Sequence, residues 1–585
     1  MGSISKSNKT VLVTRTGRGA LNVSVLFRNT RTFLNAICSV QKATVRRVVA
    51  LFCFSTPQLC ALELELPSIL ADQMILQREQ VVPIWGTAEA GAEVVVEFAG
   101  QKEKVITNLE GEWLIRLSPL EASAQSRQMK ISATLKEEKV ERVISDILVG
   151  EVWLNSGQSN MYRPFRMLVG PAEEKQYEPI AEALRKEAAE ANDPLLRQYR
   201  VGKTVSLFEE QRVGRGTWSK AVSGPVNEFC GTAYFFGKEL RRELGVPVAL
   251  LSCNLGATRI EPWISPQAFQ EHPILQEDYQ KHRKSLQKRI EDWDEEEQFA
   301  KYQKELARWE KENTEAKKKS KKPKRPEAPQ QDKQAYGGLY NGMVHPLVPY
   351  AVKGALWYQG ESNSKGASEK YGLQLTSLVT GWRSAWGQDK FYFYWCQLAN
   401  YRQPNKAPVG DEDQWAVVQN GQREALALPD TGMAVLNDIG EAHDIHPKNK
   451  IDAGKRLSLW ALKQAYHQDL VCSGPLFKEA RRADGKVIVR FDHVGSGLMV
   501  GRKTLLDPVR EVHEELKRFQ ICGPDLQWEW ATAQIVGKDE VEIWHEKIKE
   551  PVEVRYAWSS NPEGANLYNQ EGLPASLFKA KLALP

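Results

Sequence analysis

The chain has 585 residues and a mass of 66.2 kDa, which at roughly 150 residues per domain predicts two to four domains. Hydrophobic residues make up 42% and charged residues 26%, so the composition excludes a largely disordered or fibrous protein. The formal net charge of +5 is small for this length and does not indicate nucleic-acid binding.

Residues 1–61 have the features of a targeting segment. Residues 1–40 are basic and contain no acidic side chain, and Arg46–Arg47 precede the apolar run Val48–Phe54. The small residues Cys60–Ala61 follow. A basic region, an apolar core and small residues, in this order, are typical of a secretory signal. We therefore expect an exported protein, periplasmic or extracellular, with a disordered basic arm as the alternative.

Residues 62–145 contain short β-rich runs separated by glycine-containing turns. The runs are Val81–Gly86, Glu93–Phe98, Trp113–Ile115 and Met129–Ala133. Short strands that recur about every ten residues are typical of a small antiparallel β-sandwich.

From residue 146 the pattern changes, because apolar runs alternate with longer helical stretches. The runs are Ile147–Leu154, Val246–Leu251, Val352–Tyr358, Phe391–Leu398 and Met433–Leu436. Buried strands separated by helices predict an α/β domain with a doubly wound parallel sheet. Ligands of such a sheet bind beyond the carboxyl ends of its strands.

Two more regions complete the organisation. In residues 275–333, apolar residues recur every three to four positions among many charged ones, which predicts an amphipathic helix or helix pair. The basic run Lys317–Arg325 in this region indicates a solvated linker. After residue 470 the sequence is β-rich again, so we expect a second β domain over 471–585.

The segment Glu151–Met161 carries the strongest chemical motif. An apolar strand ends there in a glycine-containing turn that presents Ser159. Such a turn can expose a serine Oγ and place its N–H near a helix N-terminus, where an oxyanion is stabilised. The segment is not the G-x-S-x-G elbow, because Met161 replaces the second glycine. Taken alone, a serine in such a turn is more often structural.

A second cluster, Asp438–Lys450, follows the last apolar run and precedes an amphipathic helix. An acid beside a histidine in such a loop can orient the imidazole ring and stabilise its charged form. A surface turn is an alternative, and so is a metal site at His443 and His446, although no third ligand has suitable spacing. Both clusters follow predicted strands, so the sheet would bring them together.

Two further strand ends fit the same edge of the sheet. Leu251–Trp263 places Gly256 where a backbone N–H could face a reacting carbonyl, and Leu356–Asn363 places polar side chains after a buried strand. A preorganised donor at such a point stabilises a transition state. For each segment, a structural turn between a strand and a helix is the alternative.

These segments resemble a known family. Gly157–Met161, Trp357–Asn363 and Asp444–Pro447, in this order, are similar to motifs of the sialate O-acetylesterases, a branch of the SGNH hydrolases. Gly338–Leu347 also resembles the family's segment before the third block, and the similarity extends over about 66–466.

The resemblance implies a flavodoxin-like, doubly wound parallel sheet flanked by β-sandwich-like domains on both sides. With the patterns above, it predicts a targeting segment over 1–61, a β-sandwich over 62–145 and a catalytic domain over 146–470. The catalytic domain would carry the helical insert 275–333, and a C-terminal β domain would follow over 471–585.

The resemblance also implies a serine esterase that needs no metal or other cofactor. Ser159 matches the nucleophile and His446 matches the base, and Asp444 is the expected acid. The backbone N–H groups of Ser159 and Gly256 and the side chain of Gln359 match the oxyanion donors. Three further side chains are expected to support the site: Gln158, Glu361 and Asn363.

One position departs from the family pattern. Many SGNH enzymes carry the acid three residues before the histidine, but His443 stands there and Asp444 is only two residues before His446. Asp444 is still the expected partner, since a loop can bring it to the ring. Glu441, Asp438 or a serine–histidine dyad are alternatives.

The predicted activity is removal of O-acetyl groups from a carbohydrate, sialic acid or a related sugar, through an acetyl-serine intermediate. A neutral His446 is required, so activity should fall below about pH 6.5. An acetylxylan or other polysaccharide deacetylase and a non-catalytic glycan-binding protein are the alternatives. Trp263, Trp357 and Trp395 lie near strand ends and are the better candidates for stacking on sugar, but a place in the core is the stronger expectation for most tryptophans. The expected partner is an acetylated carbohydrate, and neither nucleic acid nor a membrane span is expected.

Overall fold

The structure is a computed structural model that describes residues 10–16, 20–26, 62–211, 214–316 and 322–582. Residues 1–61 and 62–585 form two separate compact units. In the first unit, β1 (Thr10–Thr16) pairs antiparallel with β2 (Ala20–Leu26), within the segment for which a leader or disordered arm is predicted. The apolar run of the predicted signal lies outside the described residues.

The second unit begins with a β-rich layer that contains all four predicted runs. Its strands are β3 (Leu64–Glu65), β4 (Ile75–Gln77), β5 (Val82–Ala88), β6 (Glu93–Phe98), β7 (Gln101–Ile106), β8 (Glu112–Leu117) and β9 (Ser123–Leu135). β5 pairs with β3 and β8, and β6 pairs with β7 and β9, all antiparallel. Along β6 every second residue is buried, which is the burial pattern of a strand with one face on a core.

A single long strand, β10 (Glu138–Gly157), joins this layer to the central sheet. Its first part pairs antiparallel with β9, and its last residues run parallel to two strands of the central sheet. Residues 147–157 are buried without interruption, as expected for a strand covered on both faces. The strand therefore crosses the predicted boundary at residues 145 and 146.

The central sheet has the order β12-β11-β13-β10-β14-β15-β16, and neighbouring strands are parallel except for β12 against β11. The added strands are β11 (Asn192–Arg200), β12 (Thr217–Val222), β13 (Val248–Asn254), β14 (Gly354–Tyr358), β15 (Tyr392–Cys396) and β16 (Thr431–Ala434). The five predicted strands are all present in a mixed α/β fold. Sequence patterns missed β11 and β12, because charged and polar residues interrupt their apolar positions.

Helices connect these strands. They are α1 (Ser159–Tyr162), α2 (Phe165–Leu168), α3 (Glu178–Glu190), α4 (Gly231–Leu244), α5 (Pro273–Glu291), α6 (Glu295–Ala316), α7 (Tyr371–Trp386), α8 (Gln414–Glu424) and α9 (Lys450–Trp460), with π-helical turns at Tyr340–Val344 and Ala461–Ala465. The predicted insert helices are present as α5 and α6. No helix among the described residues is long and apolar enough to cross a membrane.

The C-terminal region is built from short antiparallel strands. They are β17 (Leu476–Ala483), β18 (Lys486–Asp492), β19 (Leu498–Arg502), β20 (Arg510–Glu511), β21 (Phe519–Cys522), β22 (Trp528–Trp530), β23 (Thr532–Ile535), β24 (Glu540–Trp544), β25 (Glu553–Tyr556), β26 (Leu567–Asn569) and β27 (Phe578–Lys581). Apart from Ala416 of α8, the buried residues of its apolar core all come from this region. A larger core spans the β-rich layer and the central sheet.

The three tryptophans proposed for sugar stacking are not at the surface. Trp263, Trp357 and Trp395 have no solvent-exposed area, and Trp263 packs edge-on against Trp357. Sugar stacking is therefore wrong for these three rings, and the stronger expectation, a place in the core, is confirmed.

Candidate active site

Ser159 lies at the junction of β10 and α1. Gly157 has φ +132°, and a Cβ on it would lie 2.3 Å from the carbonyl oxygen of Tyr358 in β14, so only glycine fits. The N–H of Gln158 donates to Tyr358 O at 3.1 Å, and the N–H of Leu255 donates to Gly157 O at 3.1 Å. The turn is therefore held by the ends of both neighbouring strands.

The serine hydroxyl faces the predicted base. Ser159 Oγ lies 2.9 Å from His446 Nε2, within hydrogen-bond distance, although the two residues are 287 positions apart. The His446 side chain keeps 25% of its surface exposed, so a substrate can approach the pair. An imidazole at this distance can take the proton of a serine nucleophile.

Asp444 is the carboxylate next to the histidine. Its Oδ1 lies 3.3 Å from His446 Nδ1 and also accepts the backbone N–H of His446 at 2.8 Å. A side chain that bonds the backbone two residues later forms an Asx turn, and this turn brings the acid to the ring despite the shortened spacing. Burial opposes ionisation of Asp444, but the hydrogen bonds from His446 and the charge of Arg163 outweigh it and hold the pKa below its ordinary value.

The other two acids considered have different partners. Asp438 forms a two-point ion pair with Arg456, at 2.6 and 2.8 Å, inside the fold. Glu441 is buried and accepts the backbone N–H of Lys448 at 2.6 Å. Burial raises the pKa of Glu441 to about 7. Neither acid contacts the His446 ring.

Two backbone N–H groups are placed to receive an oxyanion. Ser159 is the first residue of α1, so its N–H has no acceptor within the helix. Gly256 lies directly beside the nucleophile, because a Cβ built on it would be 3.7 Å from Ser159 Cβ. Among the described residues, no backbone acceptor is assigned to the Gly256 N–H. Both groups therefore remain available to a ligand.

The structure does not leave Gln359 free to act as the third donor. Its Nε2 lies 3.1 Å from Gln158 Oε1, 3.0 Å from Thr258 O and 2.8 Å from Asn363 Oδ1, and the side chain is fully buried. Two amide hydrogens facing three protein acceptors leave none for an oxyanion. Here the sequence interpretation needs correction, since Gln359 braces the turns that carry Gln158 and Asn363.

Asn160, next to the nucleophile, ties three segments of the site together. Its Nδ2 donates to Ile445 O at 3.0 Å and to Glu361 Oε1, and its Oδ1 accepts from Lys450 Nζ at 2.6 Å. Burial raises the pKa of Glu361 to about 7, against the Asn160 hydrogen bond, and lowers the pKa of Lys450 to about 8. This network fixes the histidine loop relative to the nucleophile.

Sequence reasoning missed two cations beside the pair. Arg163 Nη2 lies 3.2 Å from His446 Nδ1, and Lys333 Nζ donates to Gly256 O at 3.0 Å. Arg163 follows Ser159 by four residues, a helical spacing that places both on one face and could have indicated it. Lys333 comes from the far end of the insert, and no local signal marks it.

The possible metal ligands do not gather. His443 contacts Gln403 at 2.9 Å, whereas His446 faces Ser159. Within the described ranges, no group of three or more histidine, cysteine, aspartate and glutamate side chains could hold a metal ion.

Comparison with known proteins identifies the family of this chain. The model of the sialic acid-specific acetylesterase family of carbohydrate esterases matches residues 326–459. A solved carbohydrate acetylesterase from Xanthomonas citri superposes with a TM-score of 0.69 at 32% identity, covering 88% of this chain and 99% of that chain. The chain belongs to the sialate O-acetylesterase family.

Curated relatives extend the similarity over most of the chain. The sialate O-acetylesterase of Rattus norvegicus is 26% identical over 555 residues, which cover 88% of this chain and 94% of the relative. That of Homo sapiens is 24% identical over 557 residues, covering 88% and 92%. As a member of the sialate O-acetylesterase family, the protein is a carboxylic ester hydrolase.

Proposed function

We propose that the protein removes O-acetyl groups from carbohydrates through an acetyl-serine intermediate, with Ser159, His446 and Asp444 as the catalytic residues. The observation that carries the proposal is the 2.9 Å contact between Ser159 Oγ and His446 Nε2, with Asp444 on the other ring nitrogen. A serine, an imidazole and a carboxylate in this order are the general arrangement for acyl transfer.

Each residue has one role in the reaction. His446 takes the proton of Ser159 as the oxygen attacks the acetyl carbonyl, and Asp444 stabilises the resulting imidazolium. His446 then returns the proton to the sugar oxygen as the ester bond breaks. Water attacks the acetyl-serine by the same steps and releases acetate, so the enzyme ends unchanged.

The negative charge of the tetrahedral intermediate would be held by backbone groups. The N–H groups of Ser159 and Gly256 are the proposed donors, because both lie beside the nucleophile and are free of backbone acceptors among the described residues. Donors fixed before the reaction need no reorganisation as the charge develops. Gln158, Gln359 and Asn363 act by holding the turns in place.

The sheet topology supports an SGNH hydrolase architecture as a further part of the proposal. β11 is an additional strand on the outer side of β13. When the other five parallel strands are numbered by their order in the chain, their spatial order β13-β10-β14-β15-β16 is 2-1-3-4-5. This is the flavodoxin-like order of a doubly wound sheet, in which ligands bind where the strand order reverses. Ser159 follows β10 and Glu361 follows β14, the two strands at that point.

The proposed substrate is an acetylated sialic acid or a related acetylated sugar. Relatives named sialate O-acetylesterase align over 88% of this chain, and the Xanthomonas citri relative is named a carbohydrate acetylesterase. Acetylated polysaccharides such as xylan use the same ester chemistry, so a substrate panel must include them.

The test measures acetate release from O-acetylated sialic acid, acetylated xylan and other acetylated glycans. Wild type is compared with Ser159→Ala and with Ser156→Ala as the matched control. The Ser156 hydroxyl is buried, lies three residues earlier and has no hydrogen-bond partner among the residues that the structure describes, so its loss should leave activity unchanged. Loss of a covalent nucleophile should reduce kcat by at least about 10³-fold.

Retention of activity in Ser159→Ala would overturn the assignment of the nucleophile. A protein that releases no acetate from any glycan and also fails to react with a serine-directed fluorophosphonate would be a glycan-binding protein instead. Reaction with the fluorophosphonate in wild type, and its loss in Ser159→Ala, would support a serine esterase even before the sugar is found.

Export is also a proposal. It is supported by the order of basic residues, the apolar run Val48–Phe54 and the small residues Cys60–Ala61. Mass spectrometry of the mature N-terminus in cell fractions tests it. A protein that keeps residues 1–61 inside the cell would contradict export.

A further inference from the structure

Arg163 and Asp444 contact the same nitrogen of His446. The Nδ1 atom lies 3.2 Å from Arg163 Nη2 and 3.3 Å from Asp444 Oδ1. The two distances are nearly equal, so both side chains are within reach of the same ring nitrogen. The opposite ring nitrogen, Nε2, faces Ser159 Oγ at 2.9 Å.

The two contacts require different protonation of the ring. Asp444 accepts a hydrogen bond only when Nδ1 carries the hydrogen, and Arg163, which can only donate, bonds Nδ1 only when that nitrogen is bare. In the first tautomer, Nε2 has a free lone pair and can take the Ser159 proton. In the second tautomer, Nε2 carries the hydrogen and cannot act as a base.

We propose that Arg163 competes with Asp444 for His446 and holds part of the enzyme in the tautomer that cannot activate Ser159. Arg163 is thus a positioning residue that limits the fraction of competent enzyme. This inference rests on the proposed function, because it takes Ser159 and His446 as the reacting pair.

The surroundings leave Arg163 as the cation that reaches the ring. The charged groups around His446 come from four segments. Asp444, Glu441 and Lys448 lie on its own loop, Arg163 follows α1, Glu361 follows β14, and Lys450 begins α9. The two lysines have other hydrogen-bond partners, since Lys450 bonds Asn160 and Lys448 Nζ donates to Leu168 O at 3.2 Å. No carboxylate lies within ion-pair distance of Arg163 among the described residues.

The experiment uses the full chain with Arg163→Met, which removes the donor and the charge but keeps side-chain length. Arg166→Met is the matched control, because Arg166 lies one turn later, pairs with Glu228 at 2.7 Å and makes no contact with His446. Arg163→Gln is a second variant in case the methionine form folds poorly. Selective ¹⁵N-histidine NMR reports the tautomer, and His446→Asn identifies the resonances of His446 among the nine histidines.

In wild type at pH 8 we expect the His446 nitrogens to show both tautomers, and in Arg163→Met mainly the form with hydrogen on Nδ1. The high-pH plateau of kcat/KM for p-nitrophenyl acetate should rise about twofold, which is the gain expected when about half of the wild-type enzyme is in the competent tautomer. Arg166→Met should match wild type in both measurements.

Two results would overturn the inference: wild-type His446 with hydrogen on Nδ1 alone, or an unchanged tautomer and an unchanged activity plateau in both Arg163 variants. A fall of the plateau with an unchanged tautomer would mean that Arg163 contacts the substrate and does not compete for the ring. Fluorophosphonate labelling of Ser159 separates this failure from failure of the proposed function. Labelled wild type with an unchanged tautomer rejects only the competition.

Discussion

Asp444 lies beside the His446 ring at a position that the usual spacing of an acid and a histidine does not predict. One oxygen serves both the backbone N–H and the ring of His446, at 2.8 and 3.3 Å. Asp444→Asn keeps an oxygen for the backbone contact but removes the charge that stabilises the imidazolium. We expect kcat to fall by about 10²–10⁴-fold with KM little changed, as measured with p-nitrophenyl acetate.

Glu441→Gln is the control for this prediction. Glu441 lies in the same loop, but it accepts the Lys448 N–H and not the ring. Its substitution should reduce kcat by less than about tenfold, since no catalytic contact is lost. Equal losses in both variants would mean that Asp444 is not the specific partner of His446.

The raised pKa of Glu361 should make the free energy of unfolding depend on pH. Its pKa is raised by burial to about 7 in the folded protein, against an ordinary value of 4.5. Between these values the folded state binds more protons than the unfolded state, so the free energy of unfolding falls as pH rises from 4.5 to 7 and then levels off. Glu361→Gln should remove a decline on the order of 2 kcal/mol.

Urea unfolding of wild type and Glu361→Gln from pH 5 to 8 measures this difference. Glu369→Gln is the control, because Glu369 lies in the same connection but is exposed. As pH rises, the free energy of unfolding of wild type should fall relative to that of Glu361→Gln. The curves of wild type and Glu369→Gln should be parallel. Parallel curves for wild type and Glu361→Gln would show that Glu361 ionises normally.

The sequence predicted which residues meet at the site, but it predicted the contacts of each residue less well. Ser159, His446 and Gly256 each follow a continuous apolar run, so the parallel sheet brings them to one edge, although their catalytic roles remain predictions. The hydrogen bonds of the Gln359 side chain to three protein acceptors could not be predicted, since those acceptors lie up to 201 positions away in the sequence. Such a contact depends on tertiary packing and leaves no local pattern.

Among the elements, the insert helix α5 contributes to a cavity beside the segments that follow β13 and β14. The cavity measures 590 Å³ and is lined by α5 together with Arg259 after β13 and residues 366–370 after β14. Its lining is mostly polar and includes Tyr336, which suits a sugar more than a lipid. We infer that α5 helps to bind the larger part of the carbohydrate.

Ser285→Trp, which fills this cavity from α5, tests the role of the insert. KM for an acetylated glycan should rise about tenfold or more, whereas kcat/KM for p-nitrophenyl acetate should stay unchanged, because the small ester does not need the cavity. Lys284→Trp places the same ring on an exposed position of the same helix, outside the cavity, and should match wild type. Equal KM values in both variants would exclude the cavity from substrate binding.

Element prediction succeeded where burial is continuous. The five buried runs became β10, β13, β14, β15 and β16, because strands covered on both faces leave an uninterrupted apolar signal. β11 was missed, since only Leu196 and Tyr199 of its apolar residues are deeply buried and Arg197 lies between them. There Arg197 is held by Asp146 at 2.9 Å, a compensation that a sequence pattern does not reveal.

For the whole molecule, β10 makes the β-rich layer and the central sheet one structure. The strand pairs with β9 at one end and with β13 and β14 at the other, and a single apolar core spans both regions. A pattern change near residue 145 predicts two domains, but a shared strand couples their stability. We therefore expect the two regions to unfold together.

This coupling can be tested with a substitution in one region and a reporter in the other. Met129 in β9 is fully buried, and Met129→Ala should destabilise the layer by about 2–4 kcal/mol. The thiol of Cys253, fully buried in β13, should then react with a maleimide at correspondingly lower urea, as followed by mass spectrometry. Leu109→Ala, at a site 92% exposed in the same layer, should leave Cys253 protection unchanged. If Met129→Ala lowers the unfolding midpoint of the layer while Cys253 stays protected, the central sheet is stable on its own and the two regions are separate folding units.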